Sequence, residues 1–263
     1  MEETLEEIEF LVRSENRIAV LRLLANEGHT RSSLATATGV SQATLSRILR
    51  DFVDRSWITR RDGQYVATAT GELLAEGLTE FLDLLELEAD LRPVVEHLPT
   101  DRLSFPLGRL VDATVVLPSA TRPDAPVGRL LELERTADEI QAFSFAFNER
   151  SLELVVQRVT DGTFTFDAVL SPLAIEALSG ESELRELLIA LIEADGASIR
   201  VTDATIPLAV TVADETVHLL VRDDDGVLRA SIDTDDATVR SWAVQQFESH
   251  WENSRPLDRS SIA

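Results

Sequence analysis

The chain of 263 residues contains no lysine and no cysteine. Without lysine there is no P-loop lysine, no Schiff-base nucleophile and no kinase-type catalytic lysine. Without cysteine there are no disulfides, no thiolate-bound zinc and no thiol catalysis. No uninterrupted apolar run approaches the roughly 20 residues of a membrane span. The start, Met1-Glu2-Glu3, carries no positive segment of the kind that opens a secretory signal. Cationic charge is also scarce: 24 arginines stand against 47 acidic residues, a net charge of −23. Hydrophobic residues make up 44 %, enough for a sizeable core, and the length suits one to two domains. These features describe a soluble, cytoplasmic protein with no membrane partner.

Such acidity ordinarily argues against nucleic acid, because like charge repels phosphate. It equally fits a cytoplasm in molar salt, where repulsion is screened over about 3 Å. The distribution says more than the total. Residues 13–65 hold nine arginines (13, 17, 22, 31, 47, 50, 55, 60 and 61) against five acids, a local +4 that leaves −27 for the remainder. A basic segment in so acidic a chain points to an anionic partner.

That segment has a readable order. Ile18, Leu21, Leu24 and Ala25 set a helical spacing over 15–26, with Gly28 as a C-cap signal. Thr30 is placed to cap a short helix from Arg31 to Thr38 that buries Leu34 and Ala35. Gly39-Val40-Ser41 reads as a tight turn. Ser41 then caps a third helix offering Ala43, Leu45, Ile48, Leu49, Phe52 and Val53 to the core. Two β-prone runs around Asp62-Gly63 read as a hairpin. Three helices and a hairpin are the order of a winged helix-turn-helix. Residues 70–91 form a leucine-rich helix in which Leu74, Leu78, Phe81 and Leu85 make a coiled-coil-like seam, with a second stripe starting at Leu84, Leu87 and Leu91. That seam either dimerises or packs on its own domain. Pro93 and Pro99 mark a boundary.

Beyond residue 100 helices and strands alternate, which predicts an α/β domain with a largely parallel sheet. Strands are expected at 113–117, 141–147, 164–170 and 197–202, then an antiparallel meander at 206–212, 216–222 and 227–232. A closing helix spans about 236–251, and the polar end after Asn253 is expected to be frayed. The domain plan is thus 1–70 for DNA binding, 71–95 as linker and dimerisation helix, 96–253 for effector sensing and 254–263 as a flexible tail.

In this arrangement the third helix is the recognition helix. Gln42 suits adenine, Arg47 suits guanine, and Thr44 offers a hydroxyl or methyl contact. Thr30 and Ser32 are placed for phosphate, with Ser41, Ser46 and Arg50 on the same surface and Arg60 and Arg61 on the wing. A wing used for protein contact is the alternative. Catalytic patterns are missing: there is no GxSxG, HExxH or GxGxxG, and His29, His97, His218 and His250 share no metal-ligand spacing. No enzyme activity, metal or cofactor is expected; a small-molecule enzyme fused to a helical module is the weaker alternative. Asp223-Asp224-Asp225-Gly226 reads as a hairpin turn rather than a calcium loop. At the carboxyl ends of the first strands, Ser119, Thr121, Arg122, Arg150 and Ser171 are candidates for a phosphorylated or carboxylated metabolite.

Over most of its length the chain resembles haloarchaeal winged helix-turn-helix transcriptional regulators with a TrmB-like, methanogenesis-regulator-like effector domain, close to the TrmB-suppressor type. The likeness rests on RSSLATATGVSQATLSRILR (31–50), the wing WITRRDGQYVATATGE, and IPLAVTVADETVHLLVRDDDG through SWAVQQFESHW. It implies a dimer on an inverted-repeat operator in double-stranded DNA, modulated by a small-molecule effector. It also implies a phospholipase-D-like sensor without that activity, since the HxKxxxxD lysine cannot be present.

Overall fold

A computed structural model describes residues 2–262. The chain divides into two compact units, residues 1–86 and 87–263.

In the first unit α1 (Glu2–Val12), which the sequence reading does not reach, precedes α2 (Glu15–Asn26), α3 (Arg31–Thr38) and α4 (Gln42–Asp54). Local side-chain bonds fix the helix starts. Thr30 accepts the Ser33 N–H and Ser41 accepts that of Thr44, while Gly39 takes φ 68° to end α3. The hairpin β1 (Ile58–Arg61) and β2 (Gln64–Ala67) turns through Asp62 and Gly63, both at positive φ, which matches the right-handed twist of the strands. Gly28 does not cap α2. Glu27 does, in extended conformation, and a Cβ on Gly28 would press on Gln64 and Val66. The small residue lets His29 pair with Tyr65, adding a third strand stub to the hairpin. Ala43 and Val53, expected in the core, face solvent. Leu21, Leu24, Leu34, Leu45, Ile48 and Phe52 form that core, closed on one side by Phe10, Phe52 and Trp57 in edge contact.

Helix α5 (Ala69–Leu91) starts on Thr68, whose hydroxyl accepts the Gly71 N–H and donates to Ser56 O. Leu74, Ala75 and Leu78 pack into the first unit's core, whereas Leu73, Phe81, Leu84 and Leu85 remain exposed. The expected seam is therefore split: half is internal packing and half is free. Leu87 and Leu91 belong to the second unit's core, so no separate linker segment exists here.

The second unit is an eight-stranded sheet built from β3 (Thr114–Val116), β4 (Glu139–Ser144), β5 (Thr165–Leu170), β6 (Ala197–Val201), β7 (Ala209–Ala213), β8 (Thr216–Arg222), β9 (Leu228–Thr234) and β10 (Arg255–Pro256). Its order is β10-β6-β5-β4-β7-β8-β9-β3. Only β4–β5 and β5–β6 are parallel; the other five neighbouring pairs are antiparallel. The expected largely parallel sheet is confined to the segment where strands alternate with α7 (Glu149–Thr160), α8 (Pro172–Gly180) and α9 (Ser182–Glu193). These helices, with α6 (Ala125–Thr136), cover one face. The other is covered by α10 (Ala237–Glu252) and residues 87–110. The end of the chain is not frayed: β10 pairs with β6, and Leu257 and Ile262 are buried.

Candidate nucleic-acid interface and ligand cavity

The nine arginines of residues 13–65 separate into two groups. Arg13, Arg17, Arg22 and Arg55 each pair with an acid, respectively Glu9, Asp51, Asp83 and Glu7. Arg17 and Arg55 also lie over the Phe10 ring at 3.8 Å, so they serve the fold. Arg31, Arg47, Arg50, Arg60 and Arg61 are all exposed, and among the described residues none of them holds an ion pair. They lie on α3, on α4 and on the hairpin. Arg31 Nε donates to Gln42 Oε1 at 2.7 Å, which orients the first side chain of α4. Arg60 sits 5.7 Å from the Tyr65 ring across the hairpin. An exposed cation without a carboxylate partner is available to another anion.

The remaining expected contact residues fall on the same elements, some with duties of their own. Thr30 and Ser41 cap α3 and α4, Thr44 is half-buried and bonded to the Ser41 hydroxyl, and the Ser46 hydroxyl donates to Gln42 O. Ser32 is exposed at the start of α3, leaving it with Arg47, Arg50, Arg60 and Arg61 as free surface, while Gln42 is exposed and held by Arg31.

In the second unit the five expected ligand residues have structural roles. Ser119 and Arg122 exchange backbone bonds in a turn that Thr121 completes, Arg150 pairs with Asp124, and Ser171 caps α8. They do not line a cavity that the unit holds between sheet and helices. That cavity, of about 100 Å³, lies under α6, α7 and α9. Its floor follows from register: Ala168, Ala142, Thr211 and His218 are consecutive partners across β5, β4, β7 and β8. Three small side chains in one row leave space that the overlying Leu152, Leu188 and Leu191 do not fill.

Strand alternation sends Val217, Leu219 and Val221 to the opposite core and His218, Leu220 and Arg222 to the cavity. His218 Nδ1 lies 2.6 Å from Asp233 Oδ1, and Asp233 also accepts from Arg129 Nε. Burial pushes the Asp233 carboxyl up, but the bonds from His218 and Arg129 outweigh it and hold it below the ordinary range. The ionised carboxylate accepts only, so Nδ1 carries the hydrogen of that bond and Nε2 takes no part in it. That Nε2 is buried without a partner, as are Glu134 Oε2 and Arg222 Nε. The other Glu134 oxygen accepts from Ser151 at 2.5 Å. Burial raises the Glu134 carboxyl to about 7, against the smaller opposing effects of Ser151 and Arg135. No local pattern in the sequence singles out His218. Asp225 lies in the exposed turn between β8 and β9 that Asp223 organises.

Residues 5–90 match the model of the HVO_A0261 N-terminal domain family. Residues 123–253 match the middle domain of the methanogenesis regulatory protein FilR1. The second of these models is a domain of a regulatory protein. No curated protein matches it. Among solved structures, TrmBL2, an archaeal chromatin protein, is similar at 15 % identity and TM-score 0.44 over 92 % of both chains. Nuc, a phospholipase D family member from Salmonella typhimurium, is similar at 13 % identity and TM-score 0.42, over 55 % of this chain and 98 % of its own. NucT from Helicobacter pylori gives 9 % identity and the same TM-score and coverage. Among the described residues no helix is long and apolar enough to cross a membrane.

Proposed function

We propose that the chain is a cytoplasmic, sequence-specific DNA-binding transcriptional regulator rather than an enzyme. It acts as a homodimer in a salt-rich archaeal cell and responds to a small metabolite. One observation carries this reading: in a chain of net charge −23, five exposed arginines on α3, α4 and the hairpin have no acidic partner among the described residues. Gln42 and Arg47 on α4 have the chemistry to read adenine and guanine edges, while Arg60 and Arg61 reach backbone or minor groove. The matches to a regulatory protein's middle domain and to a second domain family support a regulator. Exposed Phe81, Leu84 and Leu85 on α5 supply an apolar face for a second copy, and two half-sites read together offset the weak counterion release of high salt.

The test replaces each of the five free arginines by alanine, with Arg22→Ala as an ion-paired control. Affinity for mixed-sequence duplex is followed by fluorescence anisotropy at several KCl concentrations. Each free-arginine variant binds more weakly, those that meet phosphate lower the salt slope by about one, and Arg22→Ala leaves binding unchanged. Equal affinities across the set would assign the arginines to another partner.

A further inference from the structure

The cavity of the second unit contains three polar atoms with nothing to bond: His218 Nε2, Glu134 Oε2 and Arg222 Nε. His218 is 1 % and Glu134 3 % exposed, so water does not freely compensate them, and an unsatisfied polar atom in such a place is costly. Native folds keep such groups where a ligand or an ordered water meets them. Three unmet groups of three different kinds define the chemistry of what would meet them.

His218 gives its Nδ1 hydrogen to Asp233, which leaves Nε2 without a partner; a hydroxyl, which both donates and accepts, can meet that nitrogen. Glu134 carries its proton into the neutral range, and its free oxygen then complements a hydroxyl, which both donates and accepts. Arg222 is different. Its Nη1 donates to Gly226 O in the turn after β8, its Nε–H is unmet, and none of the ion pairs includes it. Burial lowers its pKa without any carboxylate to compensate. An unpaired, half-buried guanidinium asks for a carboxylate. His218 and Arg222 are four apart on the same face of β8, with the apolar Leu220 between them. The hydroxyl and the carboxylate are thus required at the two ends of a short hydrocarbon.

Size restricts the ligand further. A cavity of about 150 Å³ takes a benzene ring, so about 100 Å³ takes about four non-hydrogen atoms inside, with the carboxylate at the Arg222 rim.

We propose that this cavity binds a short hydroxycarboxylic acid, its hydroxyl on His218 and Glu134, its carbon chain on Leu220 and the surrounding leucines, and its carboxylate on Arg222. The site deepens the effector part of the regulatory reading and does not depend on DNA binding.

The test is calorimetric titration of the full chain in KCl with 4-hydroxybutyrate, butyrate and butan-1-ol, which share a carbon chain and differ in one end group each. 4-Hydroxybutyrate is expected to bind with a dissociation constant of about 1 mM or tighter, and the two controls at least about tenfold more weakly. Arg222→Gln, at a half-buried position, should remove the preference over butan-1-ol. His218→Gln should remove the preference over butyrate, with near-ultraviolet circular dichroism confirming the fold. If His218→Gln does not fold, Glu134→Gln replaces it and the preference over butyrate should fall. Absence of binding by 4-hydroxybutyrate, equal binding of all three compounds, or preferences unchanged in the variants would overturn the proposal. DNA affinity measured with and without the bound acid keeps the two readings apart. An acid that binds without changing DNA affinity retains the site and refutes its role in sensing.

Discussion

Replacing Glu134 by glutamine removes a carboxyl that the fold holds out of water while keeping its shape and its acceptor for the Ser151 hydroxyl. In the folded chain burial keeps the proton on Glu134 up to about pH 7, where an ordinary glutamate loses it near 4.5. Between those two values the folded state binds more proton than the unfolded state, so this group's contribution to stability falls as pH rises through that window. Each pKa unit corresponds to 1.36 kcal/mol. The whole displacement amounts to about 3 kcal/mol, of which about 2.5 kcal/mol develops between pH 5 and pH 8. Glutamine does not titrate. Urea unfolding of both proteins at pH 5 and pH 8, in the same KCl concentration, isolates the effect, because the other carboxyls cancel in the difference. Glu134→Gln should gain about 2.5 kcal/mol on the parent chain between the two pH values. A difference that is the same at both would refute the burial argument for this residue.

Two further substitutions test the packing. A Cβ on Gly71 would stand 1.9 Å from the Trp57 carbonyl oxygen, so Gly71→Ala must push α5 away from the segment that leads into β1 and should cost about 2–3 kcal/mol in denaturant titration; a change below about 0.5 kcal/mol would show that the approach is not fixed. Leu85 is 47 % exposed on α5, and Leu85→Glu should convert a dimer into a monomer of 29.0 kDa in sedimentation velocity. A parent chain that is already monomeric, or a variant that still dimerises, would remove α5 as the dimer contact.

What the sequence made legible was largely local. Thr30, Gly39, Ser41 and the Asp62-Gly63 turn act through bonds within a few residues, so their types alone place α3, α4 and the hairpin. The strands of the second unit from β3 to β9 were also readable one by one, whereas β10 was not, and neither were the strands' partners. Helix–strand alternation predicts parallel pairing and holds for β4, β5 and β6, whereas β7 joins β4 antiparallel by a contact that no local pattern encodes. The free arginines could be counted but not sorted, because Arg17 and Arg55 are withdrawn by Phe10, Asp51 and Glu7 from other elements. The cavity was hidden for the same reason: its floor joins residues 142, 168, 211 and 218 from four strands, and His218 alone is an ordinary core histidine. The expected ligand residues Ser119, Arg122, Arg150 and Ser171 lie where strands end, yet their polar groups are already occupied in turns, an ion pair and a cap.

In the proposed regulator α4 and the hairpin read DNA sequence. Selection of bound duplexes from a random pool in molar KCl, comparing the parent chain with Gln42→Ala/Arg47→Ala, tests it most directly. Enrichment of an inverted repeat by the parent chain and its loss in the double variant are expected, each lost bidentate base contact being worth about 1–3 kcal/mol of discrimination. No enrichment by the folded parent chain, or the same motif enriched by both proteins, would contradict it.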